Sequence, residues 1–175
     1  RLPQDAHKKY FANGDERLAL MFHEGLAELM EQPRDVVRLF DVAQSIEVGL
    51  RGEVHLADII ALACLMTKAP KVYELLCRVP QAFVGRRPGN QNAYEDTKDV
   101  LERYAAVLTS TIDSCAAPNA IRTLVHWLFP QVAQSNDVVG FARTVFTEGH
   151  LAHPERLLVA LHQSALPSGV QLAQV

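Results

Sequence analysis

From Pro33 to Val79 the chain reads PRDVVRLFDVAQSIEVGLRGEVHLADIIALACLMTKAPKVYELLCRV, with helical spacing throughout and no strand signal. Within it, Leu56, Ile59, Ile60, Ala63 and Met66 fall on one stripe, and Leu62 and Leu65 carry the apolar surface round the cylinder. A helix apolar on nearly every side cannot face water, so it belongs at the centre of a bundle. The flanking segments are then expected to lie against it. Before it, Pro33 suits a first helical position, and Val36, Phe40, Ala43, Ile46 and Leu50 form one stripe with Asp35, Arg38, Asp41 and Gln44 off it. Gly49 and Gly52 are expected to close that helix. After it, Pro70 opens a helix on which Val72, Leu75, Leu76 and Val79 are aligned.

The rest of the chain repeats the pattern. Asn13 to Glu16 carries a capping-box signal ahead of Leu18, Phe22, Leu26, Leu29 and Met30. Gly85 to Asn92 (GRRPGNQN) is the clearest loop, and Asn92 with Glu95 repeats the capping signal. Val100, Leu101, Tyr104, Val107, Leu108, Ile112 and Cys115 make the stripe of a long helix. Pro118 opens another, bearing Ile121, Leu124, Val125 and Leu128, which Phe129-Pro130 stops. Asn136 caps a helix with Val138, Phe141, Ala142 and Val145. Pro154 opens the last, with Leu157, Leu158 and Leu161, ended by Pro167-Ser168-Gly169. The expectation is an all-α, irregular multi-helix bundle of about eight or nine helices. It forms a single domain over residues 1–175, with a seam between residues 1–84 and 93–175 at the loop 85–92.

At 175 residues and 49% hydrophobic, the chain can bury a proper core. A formal charge of −3 supplies no basic footprint for nucleic acid. The longest apolar run, Leu56 to Met66, carries Asp58 and is too short to span a bilayer. Cys64, Cys77 and Cys115 fall at apolar helical positions with no C-x-x-C spacing, which reads as reduced core thiols in a cytoplasmic protein. The ends at Arg1 and Val175 read as boundaries within something larger.

The chemistry of a self-sufficient enzyme is not legible. The Gly85–Gly89 loop lacks the Gly-Lys-Ser/Thr of a phosphate cradle. Val36 to Asp41 imitates a strand ending in a magnesium ligand, but its context is helical. His150 and His153 sit in a turn between Gly149 and Pro154, without the four spaced ligands of a zinc site. His23-Glu24 has no second histidine, His126 beside Trp127 reads as half-buried packing, and no Gly-x-Ser-x-Gly occurs. No catalytic residue, metal ligand or cofactor site is assigned to this segment. Arg34 and Arg38 stand apart. Four residues apart at a helix start, they share a face. They belong either to a solvated charged surface, or Arg34 points across an interface to a phosphate bound elsewhere, a task its planar, permanently charged fork suits.

At these residues a resemblance emerges. Pro33-Arg34-Asp35-Val36-Val37-Arg38-Leu39-Phe40, then Gly52 to Leu62 and the Pro70-Lys71-Val72-Tyr73-Glu74 start, resemble the region after the nucleotide core in KAP-family P-loop NTPases. Leu128-Phe129-Pro130, His153-Pro154-Glu155 and Leu166-Pro167-Ser168-Gly169 are similar to a distal motif of bacterial members. Val37 stands where that family has Lys, Asp41 where it has Asn, and Leu157, Ala160 and Leu161 where aromatics follow. The resemblance implies a non-catalytic helical lid that couples an upstream ATP- and magnesium-binding core to protein partners, in signalling scaffolds or bacterial phage defence. Arg34, with Arg38, becomes the nucleotide-sensing candidate. The parent protein would be an ATPase that associates with membranes without this segment spanning one. An apolar face left bare by the missing core would let the fragment self-associate. The alternative from the residues alone is a stand-alone helical protein-interaction module. A DNA-binding helical domain is disfavoured by the acidic balance.

Overall fold

A computed structural model describes residues 14–84, 94–133 and 150–164. Among the described residues all regular structure is helical. The described part begins with α1 (Gly14–Met21), a segment kinked at Gly25 (Phe22–Leu26) and a single turn α2 (Ala27–Leu29). Next come α3 (Pro33–Leu50), α4 (Leu56–Lys68), α5 (Pro70–Arg78) and the short α6 (Gln81–Val84). They are followed by α7 (Tyr94–Asp113), α8 (Pro118–Leu128), α9 (Pro130–Ala133) and α10 (Pro154–Ser164). The loop 85–92, the signals at Asn13 and Asn92, the helix expected after Asn136 and the stop at Pro167 fall outside the described residues.

α4 is the axis. Every residue from Ala57 to Leu65 is buried, as the helix's apolar surface requires, and the charged Asp58 is buried with them. α1, α3, α5 and α8 all pack on it. The core is continuous from Met21 in α1 to Ala160 in α10, and it takes in side chains from before and after the loop 85–92. At its far side Phe83 meets Phe129 edge to face, with centroids 5.3 Å apart, both fully buried.

Prolines occupy the first position of α3, α5, α8, α9 and α10, where the missing N–H costs nothing. Pro130 therefore begins a short helix as well as ending α8. α3 ends at Leu50, with Gly49 still helical, and a type II turn follows. Arg51 has φ −56° and ψ 120°, Gly52 has φ 79°, and the Glu53 N–H donates to the Leu50 carbonyl at 2.9 Å. Gly52 is required there because its φ is positive.

Two expected stripes are corrected. α3 buries Leu39, Ala43, Ile46 and Leu50, while Val36 and Phe40 are exposed. Leu39 and Phe40 lie equally well one turn before Ala43, so spacing cannot choose between them. The choice falls on the side of Asp35, which lies one turn before Leu39 and bonds Lys68 at the end of α4. From α1 through α2, Met21, Leu26 and Leu29 are buried and Phe22 is exposed. The non-helical backbone at Gly25 (φ 174°, ψ −25°) kinks the chain there and breaks the register that a uniform 3.6-residue period assumes. Cys64 is buried, but Cys77 is exposed and Cys115 only partly covered, so two of the three thiols are not in the core.

Candidate functional site

The start of α3 is set by its cap. The Gln32 N–H donates to Asp35 Oδ2 at 3.1 Å, and Lys68 Nζ lies 2.9 Å from the same oxygen. Asp35 thus fixes the first turn of α3 to the last turn of α4. The Lys68 hydrogen bond holds its carboxyl below the usual range, with the Gln32 N–H adding to the effect against opposing desolvation. With Asp35 so engaged, Arg34 beside it has no carboxylate partner among the described residues, and neither has Arg38.

Arg34, Val37, Arg38 and Asp41 follow the spacing i, i+3, i+4, i+7 and make the outward stripe of α3. Val37 is 60% exposed, and Val36 and Phe40 border the stripe at 39% and 49%. The structure therefore brings Arg34 and Arg38 together on one face, amid apolar surface. Such a face can meet a protein partner with its hydrophobic residues and deliver guanidinium groups to an anion held by that partner.

A second centre lies inside the molecule. Asp58, in the first turn of α4, is completely buried. Its Oδ1 accepts from Arg17 Nε at 2.8 Å, with the second Arg17 nitrogen also at 2.8 Å, and its Oδ2 accepts from the Leu151 N–H at 2.7 Å. Arg17 also lies over the Trp127 ring, 3.9 Å from its centroid. His150 Nδ1 is 3.8 Å from Asp58 Oδ2, and its ring stacks on His55, centroids 6.2 Å apart. His55 caps α4 by accepting the Ala57 N–H on Nδ1 at 3.2 Å. One carboxylate therefore gathers α1, α4 and the turn before α10, and the Arg17 it holds reaches α8. The sequence carried one hint of this centre. A charged residue on a helix apolar all round must be buried, and buried charges are paired.

His153 has a local role. The turn at 150–153 is closed by the His153 N–H on the His150 carbonyl at 3.2 Å, and His153 Nδ1 accepts the Glu155 N–H at the start of α10. Desolvation, then the nearby Arg122, lowers the pKa of the half-buried His126. Burial pushes the Cys64 thiol up to about 12, which leaves it without thiolate character. Among the described residues no three His, Cys, Asp or Glu side chains are placed to hold a metal ion. Likewise, no helix among them is long and apolar enough to cross a membrane.

Neither family models, nor curated proteins, nor solved structures gave a match to this chain.

Proposed function

We propose that this chain is the helical lid and effector-coupling region of a KAP-type P-loop ATPase, and that α3 is the helix that meets the nucleotide-bearing core. The observation that carries the reading is the outward stripe of α3. Arg34 and Arg38 are exposed and unpaired among the described residues, beside exposed Val36, Val37 and Phe40. A solvated charged face needs neither the apolar neighbours nor arginines held outside any ion pair. A face that docks and stabilises a phosphate in trans needs both. In this reading the ATP and its magnesium ion belong to the core, and the segment contributes Arg34 as a sensor of the γ-phosphate, with Arg38 one turn on.

The test is Arg34→Ala in the parent protein. The expected outcome is an ATP turnover lower by about 10²-fold, the cost of losing one aimed donor to the reacting group. Unchanged turnover together with unchanged nucleotide affinity would sink the proposal. The same face also fits a stand-alone interaction module. Under that second reading Val37→Asp abolishes partner binding, while no nucleotide-dependent signal accompanies either substitution.

A further inference from the structure

Away from α3, the helices α5 and α7 enclose a groove of about 430 Å³ lined by Lys71, Glu74, Leu75 and Arg78 on one wall, and Val107, Ser110, Thr111 and Ser114 on the other. Each wall is one i, i+3, i+4, i+7 stripe, so the groove runs for two helical turns, about 10 Å. α5 and α7 pack directly on each other along the groove.

The hydrogen bonds in the walls decide what the groove accepts. The Ser110 and Thr111 hydroxyls donate to the Val107 carbonyl at 2.9 and 2.7 Å, and the Ser114 hydroxyl donates to the Thr111 carbonyl at 2.7 Å. Their hydrogens are spent on their own helix, and only oxygen lone pairs face outward. On the opposite wall Arg78 is held by Glu74, while Lys71 has no carboxylate partner among the described residues. A free phosphate would thus find one available cation and a row of acceptors, which is a poor anion site despite the residue types. Leu75 and Val107 add an apolar floor, and Val107 is 46% exposed.

We infer that this groove docks an amphipathic helix of a partner protein, one that carries an acidic residue opposite Lys71, an aliphatic anchor over Leu75 and Val107, and a side-chain amide that donates to the α7 hydroxyl oxygens. Two neighbouring helices that each offer a two-turn stripe provide the third position of a three-helix layer. The unpaired Lys71 supplies the charge selection. No residue of α3 lines the groove, so the effector would dock without competing for the arginine face.

The probe is a capped peptide of about 14 residues, long enough to hold helical structure on a surface, built from Leu, Glu, Gln and Ala in amphipathic order. Added to the full 175-residue chain, it is expected to shift amide NMR signals of α5 and the second half of α7. Lys71→Glu and Val107→Lys each change an exposed side chain and are expected to weaken binding by about tenfold without altering the thermal midpoint. A peptide with every Glu replaced by Lys is expected not to bind. Three results would each overturn the inference: no shifts at millimolar peptide, shifts centred on α3, or equal binding of the Glu and Lys peptides.

Discussion

Asp58 is a charge in a place where charges are costly, and its geometry says why it survives there. Three donors from two distant segments surround it: two Arg17 nitrogens and the Leu151 N–H. Removing the carboxylate leaves the buried Leu151 N–H without its acceptor and the part-buried Arg17 without its counter-charge. Asp58→Ala is therefore expected to destabilise the fold by about 3–5 kcal/mol, read by urea denaturation. Arg17→Ala combined with it should cost much less than the sum of the two, since they remove the same interaction. Asp35 makes a different prediction, about pH. Its pKa is lowered in the folded chain, mainly by Lys68, so its stabilising contribution is fully present above the unfolded value near 3.8 and is lost as pH falls through the folded value. The stability gap between the native chain and Asp35→Asn is expected to be constant at neutral pH and to shrink in acid. Equal gaps at both ends would exclude the Lys68 contact. None of these partnerships was legible beforehand. Asp58 meets its partners across 41 and 93 residues of sequence, and no local periodicity encodes such a distance.

At the scale of the element, the contrast between α4 and α3 shows what a pattern can carry. α4 was readable because its nine buried residues in a row leave no polar side to choose. α3 was readable as a helix, by its proline and its spacing, but its orientation turned on Leu39 against Phe40, and spacing admits both. The Asp35–Lys68 contact that settles the matter is tertiary. The same limit hid the groove of α5 and α7, whose character depends on which hydrogen bonds the serines have already made. The turn through Phe22–Leu26 adds a close approach. A Cβ at Gly25 would lie 3.2 Å from the Ala120 carbonyl oxygen of α8 and 3.7 Å from Thr123 Cβ. Gly25→Val is accordingly expected to push α8 away and cost about 1–3 kcal/mol, measured as a lower denaturation midpoint with an unchanged slope. A neutral result would mean that the two helices are free to separate there.

For the molecule as a whole, the all-α architecture and the central helix followed from the sequence, while the assignment of surfaces did not. The arginine face on α3 and the α5 wall of the groove belong to helices that both pack on α4. A bare face of the kind α3 presents predicts self-association of the chain in isolation. Sedimentation at rising concentration is expected to show a growing mass, and Val37→Lys with Phe40→Lys is expected to abolish it. A monomer at every concentration would count against α3 as a docking face. Finally, the clamp around Asp58 has a meaning in time as well as in space. On the ribosome the carboxylate emerges early, yet one of its donors is the amide of Leu151, made 93 residues later. Until then α4 has no complete place to bury its first turn. The clamp is therefore expected to be completed only after the segment around Leu151 has been made, late in synthesis.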